Sequence, residues 1–441
     1  MTVVEHYRTE ARSAAELVGE IELAVADGAL APGGRLPSVR TLAAQAGLSP
    51  STVAAALGEL RRRGLVVTDG RRGTRVATPA PAGAAPAPLP VPAGARDLSR
   101  GNPDPALLPD IAAAFARCRF PVHLYGEAPV LAELGELARG QLGGGLPDGE
   151  LCVVSGALDG IELALASNLR PGDRVAVENP GYAALYDLLR ANGLRLEGVC
   201  LDARGMVPDA LEQALRAGAS AVVITPRAQN PTGAVLDARR ARELAAVLAR
   251  HPDVLAIEDD HFGMIGEGDP HTALARRERW AATTSVAKAL GPDLRVAVLR
   301  GDPRTIARVQ RRQQCGPGWV SHVLQRLVVA LWSDRGVQAQ LRRARAVYGT
   351  RRNQLLASLA GLGVHAQGAS GLNVWIPVPE EAVVVAGLLA RGWVVAAGAP
   401  YSLAGSDPAV RVTTATLQRG EAELLAGELA AILAGGARRS G

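Results

Sequence analysis

Lysine is nearly absent from this chain. Of its 48 Lys and Arg residues one is a lysine, Lys288, in the stretch TTSVAKALGPDLR (283–295). Arginine serves wherever charge alone is needed, but a guanidinium keeps its proton near neutral pH and is no nucleophile. An amine can be desolvated, deprotonated and condensed with an aldehyde. A sole lysine therefore marks where amine chemistry is to be sought. Other scarcities exclude whole classes of protein. Four cysteines (Cys118, Cys152, Cys200, Cys315) lie far apart, which excludes a disulfide framework and a zinc pattern and fits a reducing compartment. No apolar run is long enough to cross a bilayer, and the N-terminal MTVVEHYRTE lacks a signal-peptide core. A cytoplasmic location without a membrane partner is expected. Aromatics make up 3% of the chain, so Ala, Leu and Val must fill its cores.

What is present points to more than one domain. A chain of 441 residues exceeds what one core sustains. Its 48% hydrophobic and 21% charged content is that of a globular protein, and the net charge of +5 permits nucleic-acid binding.

The first 77 residues read as helix, helix-turn-helix, hairpin. Residues 14–26 carry Leu17, Ile21, Ala24 and Val25 at helical spacing. A second helix follows Ser38 as N-cap, turns Leu42 and Ala46 inward and stops at Gly47. A third follows Ser49 as cap with Pro50 at its first position, turns Val53, Leu57 and Leu60 inward and ends at Gly64. LVVTDGRRGTRVA (65–77) then gives two short strands around a Gly/Arg turn. Charge is divided unevenly along this stretch. From Gly33 to Ala77, Arg35, Arg40, Arg61, Arg62, Arg63, Arg71, Arg72 and Arg75 face two acids, Glu59 and Asp69, whereas residues 1–32 hold six acids and two arginines. Positive charge thus gathers on the third helix and the hairpin, where phosphates of a duplex would lie. The following TPAPAGAAPAPLPVPAGARD (78–97) lacks apolar periodicity and reads as a semi-extended tether.

From residue 98 onward the chain is α/β. Apolar runs LCVV, RVAVE, AVVIT (221–225) and VLAIEDD (254–260) alternate with helices at 157–169, 182–191 and 237–250, the pattern of a mostly parallel, doubly wound sheet. Ligands of such sheets bind beyond the carboxyl ends of the strands. Several chemically apt residues fall there. Ser155, Gly156 and Ala157 begin a helix and can aim N–H groups at a phosphate. Tyr182, after ENPG, offers a ring to stack on a flat cofactor, or simply a packing group. Asn230 precedes a Pro-Thr-Gly turn. Glu258, Asp259, Asp260 and His261 end a buried strand, where a carboxylate can pair with a pyridinium nitrogen; no His or Cys cluster supports a metal there. Ser285 and Arg295 flank Lys288 and can anchor a phosphate. Residues 337–441 are expected to form a small C-terminal α+β subdomain, with GLNVWIPV (371–378) as one of its strands.

The N-terminal pattern ADGALAPGGRLPSVRTLAAQAGLSPSTVAAALGELRRRGLVV resembles the winged helix-turn-helix of GntR-type repressors. By that resemblance Ser38, Arg40, Ser49, Ser51, Thr52, Arg71, Arg72 and Gly73 approach duplex DNA. The order SGAL, PGY, NPTG, EDD, Ser-x-x-Lys and Arg resembles fold type I aminotransferases, and the whole chain resembles a MocR-type regulator. The resemblance implies pyridoxal 5'-phosphate joined to Lys288 as an aldimine, with Asp259 on its pyridine nitrogen, Asn230 on its phenolic oxygen and Tyr182 stacked on its ring. Ser155 to Ala157, Ser285 and Arg295 would hold its phosphate. Arg411, in AVRVTTATL, matches the arginine that takes a carboxylate. Tyr125, in HLYGEAP, matches the tyrosine that reaches the neighbouring subunit's phosphate, which implies a homodimer. His261 stands where such regulators commonly have a tyrosine, and GEAPVLAELGEL departs from the usual sequence after Tyr125. The expected function is a regulator that binds an operator and senses an amine, an amino acid or pyridoxal phosphate itself; a working transaminase fused to a DNA-binding domain is the alternative.

Overall fold

The computed structural model describes residue 9 and residues 11–62, 65–68, 73–77, 91–142, 144–267, 270–403 and 407–437. Two compact units are formed, one N-terminal and one built mainly from the chain after Pro90.

In the N-terminal unit, α1 (Ala14–Ala26) is capped by Ser13, whose hydroxyl accepts the Glu16 N–H. Ser38 caps α2 (Val39–Ala46) in the same way, and Gly47 closes it in the left-handed conformation at φ +65°. Ser49 Oγ takes the Thr52 N–H at 3.1 Å at the start of α3 (Pro50–Arg62). Leu17, Ile21, Leu42, Val53 and Leu60 are fully buried together. Burial of each such side chain stabilises by about 1.5–3 kcal/mol. Strands β1 (Val66–Thr68) and β2 (Thr74–Val76) pair antiparallel. Arg71, Arg72 and Gly64 lie outside the described residues.

The large unit begins with β3 (Arg96–Asp97), α4 (Ile111–Arg117) and α5 (Ala132–Leu142). There follow β4 (Glu150–Val154), α6 (Ala157–Ala166), β5 (Arg174–Asn179), α7 (Ala183–Ala191), β6 (Arg195–Asp202), β7 (Gly205–Met206), α8 (Pro208–Arg216), β8 (Ala219–Ile224), α9 (Ala238–Ala249) and β9 (Leu255–Asp260). After β10 (Trp280–Ser285), α10 (Ala287–Leu290) and β11 (Ala297–Gly301) come the helices α11 (Pro303–Gln314), α12 (His322–Ser333) and α13 (Arg335–Gly361). The eight-stranded sheet has the order β4-β11-β10-β9-β8-β5-β6-β7. Pairings β5–β8, β8–β9 and β9–β10 are parallel, and β11 runs antiparallel to both its neighbours. The central strands are apolar on both faces, as a sheet covered twice requires: Val175 to Val177, Ala221 to Ile224 and Leu255 to Ile257 are buried throughout. On one face α8 and α9 set Leu211, Leu215, Leu244 and Leu248 against Ala176, Val222 and Ile224.

The small subdomain follows α13: β12 (Asn373–Pro377), α14 (Glu381–Leu389), β13 (Trp393–Val394), β14 (Ala396–Ala397), β15 (Ala409–Thr413) and α15 (Glu421–Ala437). Its sheet has the order β12-β15-β14. Within the stretch expected as tether through residue 97, Arg96–Asp97 form strand β3, parallel to Trp393–Val394. A two-residue strand carries no periodicity, and its partner lies some 300 residues away, so the sequence gives no sign of it.

Candidate cofactor site and DNA-facing surface

A cavity of about 320 Å³ opens at the carboxyl ends of the parallel strands, lined among others by Tyr182, Asn230, Asp259, His261, Ser285, Lys288, Arg295 and Arg411. Strand geometry sorts the three acids at the end of β9, because successive side chains point to opposite faces. Glu258 points away from the cavity and accepts the Ala273 N–H at 2.7 Å and the Thr272 hydroxyl at 2.9 Å. Asp260 points the same way and takes both arms of Arg227 at 2.8 and 2.6 Å. Asp259 alone faces the cavity. It is buried, and its Oδ1 has no hydrogen-bond partner among the described residues. Burial, then the charges of Asp260 and Glu178, push its carboxyl up to about 7.

Lys288 stands on the short α10 after β10, and its Nζ donates to Gly101 O at 2.6 Å. Burial first, then the charge of Arg411, push the amine down to about 8, so a large neutral fraction exists near physiological pH. His261 lies beside Asp259, with Nδ1 and Oδ2 4.0 Å apart. Burial, reinforced by Lys288, pushes its imidazole down to about 4, which leaves it neutral.

Arg411, buried on β15, donates to Asn230 Oδ1 at 3.0 Å and to Ser99 O, with its guanidinium 4.7 Å from the Tyr401 ring centroid. Asn230 and Tyr182 are carried on separate loops that Gln229 ties together. The Gln229 amide donates to Pro180 O at 2.9 Å and to Glu178 at 3.2 Å, while its oxygen accepts the Thr232 N–H at 3.0 Å.

At the far end, Arg295 sits in the left-handed region at φ +47° and donates to Ser155 O at 2.8 Å. Gly156 has φ +118°, and a Cβ there would fall 2.6 Å from the Arg295 guanidinium, so glycine is required. Ala157, Leu158, Ser285 and Arg295 line the cavity; Ser155 and Gly156 stand just behind that wall. Tyr125 is outside it, 93% exposed, edge-on to Trp319 at 5.5 Å. Residues that sequence reasoning did not single out include Thr225, Tyr401, Asn373 and the segment Ser99–Gly101 on the walls, and Gln229, Glu178 and Arg227 behind them. Glu178 and Gln229 lie within the motifs ENPGY and RAQNPTG, so proximity to a motif was the available signal. The donor set fits pyridoxal phosphate: an amine for the aldehyde, an unpartnered carboxylate for the ring nitrogen, an amide for the phenolic oxygen, and an arginine at a helix start for the phosphate.

On the N-terminal unit, Ser38, Arg40, Ser49 and Ser51 are exposed and Thr52 is half-buried. The Ser49 hydroxyl is shared with Ser51 Oγ at 2.7 Å and Thr52 Oγ1 at 2.8 Å, so these three groups form one polar cluster at the start of α3. Gly73 has φ +80°, and a Cβ there would lie 3.2 Å from Arg35 Nε. The turn between α2 and α3 and the β1–β2 hairpin thus present the geometry of a winged helix-turn-helix.

Comparison with known proteins places these units. Residues 96–429 match the aminotransferase class I and II family, and residues 13–76 match the bacterial regulatory proteins of the gntR family. The chain is 39% identical to the vitamin B6 salvage pathway transcriptional repressor PtsJ of Salmonella typhimurium, over 95% of this chain and 98% of that one. It is 32% identical to the pyridoxine biosynthesis transcriptional regulator PdxR of Corynebacterium glutamicum, over 56% of this chain and 55% of that one. Among solved structures, kynurenine aminotransferase of Pyrococcus horikoshii superposes with a TM-score of 0.70 at 22% identity, covering 78% of this chain and 92% of that one.

Proposed function

Because the chain belongs to the aminotransferase class I and II family and carries a gntR-family head, we propose that it is a transcriptional regulator that binds DNA through that head and pyridoxal phosphate through the large unit. The observation that carries the regulator reading is the similarity to a repressor along almost the full length of both chains. The proposed division is a DNA-binding head at 1–77, a tether at 78–97 and a cofactor-binding body at 98–441, with a small subdomain from about 337. The names of the two relatives direct the reading further: the signal is pyridoxal phosphate itself, and the controlled genes serve vitamin B6 salvage or synthesis.

Bound pyridoxal phosphate supplies an aldehyde to an amine and, through its ring, a sink for electrons. The chain's own residues do the rest. Lys288 presents an amine that burial and Arg411 make easier to deprotonate. Asp259 holds a proton at the ring nitrogen, and the neutral His261 beside it adds no competing positive charge. Asn230 orients the phenolic oxygen, Tyr182 covers the ring, and Ala157, Ser285 and Arg295 on the cavity wall receive the phosphate, with Ser155 and Gly156 behind them. Arg411 is placed to take a carboxylate. On the head, Arg40, Ser38, Ser49, Ser51, Thr52 and Gly73, with Arg71 and Arg72, face the DNA.

The protein is proposed to act in the cytoplasm as a homodimer. The exposed run Val122, Leu124 and Tyr125, at 85%, 66% and 93%, supports pairing through this region, with Tyr125 reaching the partner's phosphate site. Among the described residues no helix is long and apolar enough to cross a membrane.

Purified protein mixed with pyridoxal phosphate should acquire a visible absorption band that borohydride removes and Lys288→Ala lacks. The same preparation should retard DNA from the promoters of vitamin B6 genes, and pyridoxal phosphate should change that affinity. A colourless wild type would overturn the cofactor assignment, and a failure to retard any such promoter would overturn the target assignment.

A further inference from the structure

The segment Arg96–Gly101 runs from the end of the tether into the cavity. Its upstream half is fastened to the small subdomain. Arg96 N–H donates to Gly392 O and Leu98 N–H to Val394 O, both at 2.8 Å, and Thr413 N–H donates to Leu98 O at 2.8 Å. The Arg96 guanidinium reaches Thr416 O at 2.7 Å and Glu421 at 3.0 Å on α15. Its downstream half lies on ligand-binding groups. Gly101 O accepts from Lys288 Nζ at 2.6 Å, Ser99 O accepts from Arg411, and Gly101 N–H donates to Thr413 Oγ1 at 3.0 Å. Lys288 itself follows a strand of the large sheet. One short segment therefore joins the small subdomain, where the tether ends, to the single lysine on the other side of the cavity.

We propose that Arg96–Gly101 is a strap that reports the state of Lys288 to the tether: the free amine clamps it through Gly101 O, and capture of pyridoxal phosphate lets it go. This rests on the cofactor reading above. Condensation of the neutral amine with an aldehyde forms a carbon–nitrogen double bond. The carbonyl oxygen leaves as water with the two amine hydrogens, and no oxidant or reductant takes part. The nitrogen that held Gly101 O is stripped of those hydrogens, so the carbonyl loses its donor. A carboxylate arriving at Arg411 competes with Ser99 O, so a second ligand group pulls on the same strap. Arg96 to Leu98 stay hydrogen-bonded to β13 and β15. Once Gly101 is released, the small subdomain and the end of the tether turn together relative to the large sheet. Ligand capture then favours one arrangement over another, which is what a signal requires.

Hydrogen–deuterium exchange of the full-length protein tests this, with capture followed independently by visible absorption. Adding pyridoxal phosphate should speed exchange of the Ser99–Asn102 amides by about threefold to tenfold, the equivalent of one net hydrogen bond, while the Arg96 and Leu98 amides keep their rate. Lys288→Ala, without a donor, should exchange at the fast rate with or without pyridoxal phosphate. Lys288→Arg keeps a donor but cannot condense, and should exchange slowly under both conditions. Wild-type protein that takes up colour while these amides keep their slow exchange would overturn the strap and leave the cofactor reading standing. A colourless wild type would overturn the cofactor reading. In that case the clamp still stands or falls on whether Lys288→Ala exchanges faster than ligand-free wild type.

Discussion

Three consecutive acids at the end of β9 do three different jobs, and substitutions should separate them. Asp260 is locked in a buried ion pair with Arg227, side chains 13% and 5% exposed. Asp260→Asn should cost about 3–5 kcal/mol, because it strands a buried guanidinium, and thermal melting would read this as a large loss. Asp259 has the opposite balance. The unfolded chain releases its proton near 3.8 and the folded chain holds it to about 7. The folded state thus binds more protons between those values, and Asp259 lowers stability as pH rises through that window. Asp259→Asn should therefore melt higher than wild type at pH 8 and equally at pH 4, while losing the ability to keep the ring nitrogen protonated. Reactivity towards amino acids that survives in Asp259→Asn would assign that role elsewhere. Lys288 gives a third test at this scale. Its proton is released near 8 instead of 10.5, so the rate of pyridoxal phosphate uptake should climb with pH and level off just above 8. A climb that continues towards 10.5 would mean that the cavity does not desolvate the amine.

At the scale of elements, the head's helix-turn-helix has a cap that holds its third helix and a face proposed to read DNA. Ser49 caps α3 through the Thr52 N–H, so Ser49→Ala should lower the head's stability by about 1 kcal/mol. Arg40 is exposed on α2, outside the buried cluster of the head's described residues. Arg40→Ala should leave the melting temperature within error, weaken DNA binding at low salt and reduce the slope of log affinity against log salt by about one. An unchanged slope would remove Arg40 from the phosphate contacts. The helix-turn-helix is thus dissected by two substitutions that differ in which quantity they move.

For the whole molecule, the tether sets what two heads can reach. The proposed dimer would carry two tethers of Pro/Ala-rich chain, each reaching about 50–60 Å if extended at roughly 3.1 Å per residue. Half-sites separated by more than one turn of DNA are therefore accessible, and joining two weak contacts raises their effective concentration. If the strap moves the origin of each tether, the ligand alters the spacing that the pair of heads prefers without altering either head. Pyridoxal phosphate is then expected to change affinity for a two-half-site operator and to leave affinity for one half-site constant, as titration of both DNAs would show. Equal effects on the two DNAs would place the signal inside the head.

The sequence by itself determined what depends on local chemistry. Helix caps at Ser38 and Ser49, the stop at Gly47 and the alternation of apolar strands with helices were legible because each rests on residues a few positions apart. So was the importance of Lys288, since only an amine can condense and the chain holds one. The tertiary structure decided what depends on partners far apart in the chain. Three adjacent carboxylates look alike in sequence; pleating of β9 and the placement of Arg227, Thr272 and Ala273 left Asp259 alone in the cavity. The depressed proton affinity of Lys288 comes from burial and from Arg411, more than a hundred residues later. The strap meets Lys288 Nζ through the Gly101 carbonyl and Val394 through the Leu98 N–H, backbone groups that every residue possesses, so no side-chain pattern within 96–101 could have announced it.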